Sequence, residues 1–267
     1  MNLVQNFLTQ NPCYVANVNN ADSRYVTFHQ RGPLGGMLHS VGCAQPNASV
    51  FLNAWNKSSY EYSCVHGIID ANTGTAYQCL PWNYRGWHGG GSSNNTHIGV
   101  EMCESSAIRY LQEGESGYAP GKFVIKDRIK AQADCTRAYN TAVELFATLA
   151  LLWHWDVDTA ILSHYEGGKK GIASGHGDPE HYWSGLGMNY TMNGFRADVK
   201  IAMQPVIVNP FDDVKESNWF YDDVMWGVET GLAKGMDDTH FKPNDPCTRA
   251  QTMALMHRLA ELLKEGG

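Results

Sequence analysis

No stretch of this 267-residue chain approaches the roughly 18 consecutive apolar residues that a membrane-spanning helix needs. A dense Lys/Arg block is also missing. The 20 basic and 27 acidic side chains leave a formal net charge of −7, without the basic footprint that nucleic-acid binding needs. The segment from Met1 to Asn11 has neither a basic start nor an apolar middle, so no classical signal peptide is read there. The seven cysteines show no CxxC spacing, which leaves no basis for a disulfide framework or a cysteine-only zinc site. Buried free thiols are expected instead. The short HExxH metal motif is absent as well. What is present is 43% hydrophobic and 18% charged residues, enough for one large globular domain, or one large and one small.

The first part of the chain alternates strand-like and helix-like segments. Gly36-Met37-Leu38-His39-Ser40, Cys64-Val65-His66-Gly67-Ile68-Ile69-Asp70 and His97-Ile98-Gly99-Val100-Glu101-Met102-Cys103 read as strands. Asn72-Thr73-Gly74 supplies turn chemistry before Thr75-Ala76-Tyr77-Gln78-Cys79-Leu80 returns as a hairpin partner. From about Lys126 to Trp155 the pattern is helical, with Tyr139, Val143, Phe146, Ala147 and Ala150 on one stripe. Ala160-Ile161-Leu162-Ser163-His164 is a short apolar run, and the glycine-rich stretch from Tyr165 to Asp178 is expected to be an irregular loop. A final helix is expected over Asn193 to Met203. Composition changes at Gln204-Pro205-Val206-Ile207-Val208-Asn209-Pro210, read as a linker. Beyond it, one helix around Asp222 to Thr230 stops at Gly231, and another opens with a Thr248-to-Gln251 capping box. That second helix carries Met253, Met256, Leu259, Ala260 and Leu263 on one face. The expected fold class is α/β, a mixed central sheet flanked by helices, followed by a small, mainly helical module. The expected boundary puts domains at 1–205 and 206–267.

Metal-ligand residue types stand at three strand ends or loops: His39, His164, and the run His176-Gly177-Asp178-Pro179-Glu180-His181. Catalytic zinc takes three protein ligands and keeps a fourth position open. Here the ligands would converge from separate elements, and each histidine taken singly is equally explained as a surface or hydrogen-bonded core residue. The loop Trp87-His88-Gly89-Gly90-Gly91-Ser92-Ser93-Asn94-Asn95 has two readings. It is either a glycine-rich structural loop with a packed Trp, or a groove border on which Trp87, His88, Asn94 and Asn95 contact substrate.

Met37-Leu38-His39-Ser40-Val41-Gly42, the strand Cys64 to Asp70, Asn94-Asn95-Thr96-His97-Ile98-Gly99-Val100-Glu101 and Ser163-His164…His176-Gly177-Asp178-Pro179 follow one another in a telling order. Together, over about residues 1–205, they resemble the zinc-dependent N-acetylmuramoyl-L-alanine amidases. This is the family of phage amidase endolysins, bacterial anhydromuropeptide amidases and animal peptidoglycan recognition proteins. The resemblance implies a mixed sheet with one zinc ion in a surface groove, held by His39, His164 and Asp178. It implies that Glu101 is the acid/base, and that His176 stands where relatives keep a lysine that stabilises the transition state. Phage relatives often carry a tyrosine where this chain has Val65, which moves the base role toward Glu101. A rival assignment makes His176 or His181 a ligand, with Asp178 in support.

In the tail, Phe211-Asp212-Asp213-Val214, Trp219 to Val228, Gly235-Met236-Asp237-Asp238, Phe241-Lys242-Pro243 and Thr248-Arg249-Ala250-Gln251 resemble one S-layer-homology module. Such modules anchor proteins to secondary cell-wall polymers, usually in sets of three. The capping box explains the last motif equally well.

The two resemblances imply a peptidoglycan amidase with its substrate as partner, acting outside the cell or at the wall. With no signal peptide read, a cytoplasmic endolysin released through a holin is one route. The alternatives are a non-catalytic peptidoglycan-binding protein and a zinc peptidase that cuts within the stem peptide.

Overall fold

A computed structural model describes residues 1–204 and 208–265. The chain forms two compact units, Met1–Gln204 and Pro205–Gly267. Residues 205–207 of the expected linker lie outside the described residues.

Eight strands form in the first unit: β1 (Asn2–Gln5), β2 (Gly35–Ser40), β3 (Gly67–Ile69), β4 (Thr75–Gln78), β5 (His97–Met102), β6 (Ile108–Tyr110), β7 (Phe123–Ile125) and β8 (Ile161–Ser163). Six make the central sheet in the order β1-β4-β3-β5-β2-β8, and β6 and β7 form a separate ribbon. The sheet is mixed, as expected. β3 and β4 pair antiparallel around Gly74, whose φ of 70° suits glycine, while β3, β5, β2 and β8 run parallel. Every residue of β2 is buried, which is how a central parallel strand covered on both faces reads.

The helix Arg128–Trp153 is the principal cover of the sheet. All five residues of its expected stripe are buried, and Ala131, Cys135, Ala138, Ala142, Leu145 and Leu149 widen the face. Helix Met192–Ala202 ends the unit, capped by Thr191. Helices Pro12–Val18, Ser23–Arg31 and Ala48–Trp55 complete it; the sequence reading had not anticipated them.

One expectation is overturned. The glycine-rich stretch after Ser163 begins as a helix, His164–Lys169, rather than as irregular loop. Ser163 and Glu166 form a full capping box, which outweighs the helix cost of Gly167 and Gly168. Gly167 packs closely on the sheet, since a Cβ there would stand 2.5 Å from the Met37 terminal methyl.

Five cysteines, Cys13, Cys64, Cys79, Cys103 and Cys135, are buried and free; Cys43 and Cys247 are exposed and free. In the second unit, helices Tyr221–Glu229 and Arg249–Glu265 accompany a small core of Phe211, Val214 and Val224. The Thr248–Gln251 capping box is present, with the Gln251 amide N–H donating to Thr248 Oγ1 at 3.2 Å and the Thr248 N–H to Gln251 Oε1 at 2.8 Å. The apolar stripe of the last helix is largely exposed, Met253 at 65% and Leu263 at 72%.

Candidate active site

In an open parallel sheet, sites form beyond the carboxyl ends of the strands. β2, β5 and β8 all point to one edge, and their ends deliver His39, Glu101 and His164. Parallel pairing sets His39 opposite Glu101, so the two side chains share one sheet face on adjacent strands. β8 pairs with β2 only as far as Ser163, where the chain turns into a helix whose first residue is His164. Asp178 arrives from the following loop, and its Oδ2 accepts the Ser40 amide N–H at 3.3 Å.

Three buried donor atoms meet here, within 4.8 Å of one another. His39 Nδ1 and His164 Nδ1 are 3.0 Å apart. Each is 3.4 Å from an Asp178 carboxylate oxygen. Ligands bound tetrahedrally at about 2.0–2.1 Å from zinc stand roughly 3.3–3.4 Å from one another, so the spacing and the donor types both fit that ion. Two imidazole nitrogens and a carboxylate converging on one point form a group that could hold a metal ion. Burial holds the His39 imidazole below its usual range, which favours the neutral, ligating form. Burial would raise the Asp178 carboxyl, but its contacts with His164 and His39 hold it well below the usual carboxylate range.

A cavity of about 570 Å³ opens over this cluster, with Glu101, His164, His176, Asp178, Tyr110 and His181 on its wall. Burial, then the charges of Asp178 and Glu104, push the Glu101 carboxyl well above its ordinary value. Its Oε2 is buried and has no hydrogen-bond partner among the described residues. His176 is 60% exposed and stacks on His164 at 4.4 Å, with its Nδ1 3.8 Å from Asp178. Neither His176 nor His181 joins the three-atom cluster among the described residues. His181 instead meets the Tyr110 hydroxyl at 2.9 Å, and that hydroxyl donates to Glu104 Oε2 at 2.6 Å. Burial pushes the Glu104 carboxyl up to about 7, against the hydrogen bonds from the Tyr110 hydroxyl and the Gly42 amide. Sequence reasoning missed Glu104 and Tyr110, whose pairing depends on how the β6–β7 ribbon folds back.

Of the four loop residues read as substrate contacts, three are turned to other partners and one lines the cavity. The Trp87 indole N–H donates to the Tyr25 hydroxyl at 3.0 Å, and the ring packs against the core. Asn94 Oδ1 accepts the amide N–H groups of His88 and Gly89, both at 2.8 Å. Asn95 Oδ1 accepts Arg85 Nε at 2.6 Å. None of these three is on the cavity wall among the described residues; His88 is, but both of its ring nitrogens already have partners.

Comparison with known proteins gives likenesses of fold and of family. The crystal structure of the Staphylococcus aureus hydrolase AmiA in complex with its ligand is 16% identical, over 76% of this chain and 83% of that one, with a TM-score of 0.52. This is likeness of fold. A mutant endolysin from Bacillus subtilis is 18% identical over 74% of this chain and 99% of that one, with a TM-score of 0.46. A 56-residue stretch is 38% identical to the Surface-layer 125 kDa protein of Lysinibacillus sphaericus, covering 21% of this chain and only 5% of that protein. The S-layer homology domain model matches residues 210–253, so the tail carries such a domain. The N-acetylmuramoyl-L-alanine amidase model matches residues 19–181, more than half of the chain, and encloses every residue of the three-atom cluster. This chain therefore belongs to the N-acetylmuramoyl-L-alanine amidase family.

Proposed function

We propose that this chain hydrolyses the amide between N-acetylmuramic acid and L-alanine in peptidoglycan, with one zinc ion held by His39, His164 and Asp178. The observation that carries the zinc reading is the convergence of two imidazole Nδ1 atoms and a carboxylate at 3.0 and 3.4 Å. Zinc, when bound, supplies a Lewis acid that polarises a carbonyl and makes water acidic enough to attack near pH ~7.

Glu101 accepts a proton from the attacking water at its unpartnered Oε2 and passes it to the departing alanine nitrogen. The water oxygen bonds to the lactyl carbonyl carbon, the C–N bond breaks, and the products are a carboxylate on the sugar and a free stem peptide. A cation beside Glu101 opposes the burial that raises its carboxyl, and draws it toward the range in which it can act as a base. His176, at the cavity mouth, offers a ring N–H to the oxygen on which negative charge develops. Its exposure makes it a weaker donor than a buried one.

Residues 1–205 are the catalytic part in this reading, and 206–267 a single wall-binding module whose partner is a secondary cell-wall polymer. The S-layer homology match supports wall association. The enzyme then works at the cell wall.

Chelation should abolish turnover of a muramyl peptide, and added zinc should restore it. Mass spectrometry of digested peptidoglycan should find intact stem peptides with free N-terminal alanine. Internally cut peptides would mark a peptidase, no product a binding protein, and full activity in a verified metal-free preparation would end the zinc reading.

A further inference from the structure

We infer that the loop 87–97 dictates which nitrogen of each ligand imidazole faces the metal, with His88 as the positioning residue for His39. The inference deepens the zinc reading above and rests on it.

A carbonyl oxygen can only accept, and that fixes the direction of the relay. His88 Nε2 lies 3.0 Å from the His97 carbonyl oxygen, so it carries the hydrogen. A neutral imidazole carries one hydrogen, and on His88 the carbonyl places it on Nε2. Its Nδ1 is then a bare lone pair, 3.0 Å from His39 Nε2. His39 must donate there. Its own Nδ1 is left as a lone pair facing His164 and Asp178, the form a cation requires.

A second relay ends on the same loop. The Ser174 hydroxyl donates to the Gly89 carbonyl at 3.3 Å, and its oxygen takes the His164 Nε2–H at 3.0 Å, which leaves His164 Nδ1 facing inward. The sequence makes room for both relays. A Cβ at position 99 would stand 2.3 Å from the His88 ring, and one at position 90 would stand 2.7 Å from Ser174 Oγ. Asn94 anchors the loop through the His88 and Gly89 amides. With both nitrogens engaged, His88 has no polar atom to offer a substrate.

The direct test is 15N NMR of the zinc-loaded full chain. His39, His88 and His164 should all be Nε2–H tautomers, with a scalar coupling across the bond from His39 Nε2 to His88 Nδ1. A proton on His88 Nδ1, or His39 bound to zinc through Nε2, overturns the inference. Zinc competition with a chromophoric chelator supplies the second readout. His88→Leu should weaken binding about 10–100-fold, and His88→Gln, whose amide can both donate to His97 and accept from His39, should recover part of that loss. Parent-like affinity in the Leu variant, or a folded Gln variant no better than Leu, overturns it. If the Leu variant fails to fold, the coupling measured in the parent decides. A parent chain that takes up no zinc would instead bring down the zinc reading itself, and the inference with it.

Discussion

Glu101 and Glu104 sit three positions apart, both with carboxyls raised by burial, yet they are set for different work. Among the described residues, Glu101 has an unpartnered oxygen beside the His39, His164 and Asp178 group, whereas Glu104 is held by Tyr110 and the Gly42 amide. Glu101→Gln should therefore keep the fold and the zinc while kcat falls about 10²–10⁴-fold, the usual worth of a general acid/base. Near-parent turnover in that variant would assign the proton transfer elsewhere. Glu104 should instead register in stability. Its folded value of about 7 lies above the ordinary 4.5 of a free glutamate, so the native state binds the proton more tightly. The stabilisation is fully present below pH 4.5 and is lost as pH rises through about 7. The gap corresponds to roughly 3 kcal/mol. Glu104→Gln should reduce the pH dependence of the amidase unit's unfolding across that window, leaving the contributions of Glu101, also raised by burial, and of Glu180, which burial raises to about 7. An unchanged slope would refute the assignment. The site residues were visible in the sequence as an ordered set of motifs, but their mutual placement was not. That Glu101 flanks His39 follows from the β2–β5 register, and the role of His88 depends on a glycine eleven positions further along, which no local pattern reveals.

Helix His164–Lys169 joins the sheet to the His39, His164 and Asp178 group, and Ser163 caps it. The Ser163 hydroxyl oxygen accepts the Glu166 amide N–H at 3.0 Å, and the hydroxyl donates to Glu180 Oε1 at 2.5 Å. Arg196 then clamps Glu166 with two guanidinium bonds of 2.9 and 3.0 Å. Ser163→Ala removes the cap, about 1 kcal/mol, and strands part of a buried carboxyl, a further ~1–3 kcal/mol. Thermal unfolding should fall by roughly 5–10 °C, and Ser163→Thr should recover most of it. A shift under one degree in the Ala variant would show that Arg196 holds the helix alone. At this scale the fold was read unevenly. The strands β2, β3, β4, β5 and β8 and the helix Arg128–Trp153 follow hydrophobic runs and periodicity that the chain displays openly. The helix after Ser163 was hidden, since its glycines read as breakers while the capping box beside them went unused. The three early helices are short, and they are held more by caps such as Asn11 and Asp22 and by tertiary packing than by any long stripe.

At the scale of the whole molecule, the proposed chemistry is confined to one unit. The cluster, Glu101 and the cavity all lie before residue 204, and the second unit begins beyond it. A chain ending at Gln204 should therefore retain its turnover of soluble muropeptides. On intact walls its apparent efficiency should drop, because tethering to the insoluble substrate raises effective concentration without any new contact at the active site. Among the described residues the second unit's core cluster is Phe211, Val214 and Val224 with a few partly buried neighbours, which gives little stability in isolation. A structural role for the tail makes the opposite forecast: truncation would lower the amidase unit's melting temperature and its activity on both substrates together. Melting curves of the two chains, read beside turnover on soluble and insoluble substrate, separate these cases. A selective loss on walls with an unmoved melting transition supports anchoring. Loss of soluble-substrate turnover together with a large fall in melting temperature would overturn it, and would make the tail part of the enzyme's fold.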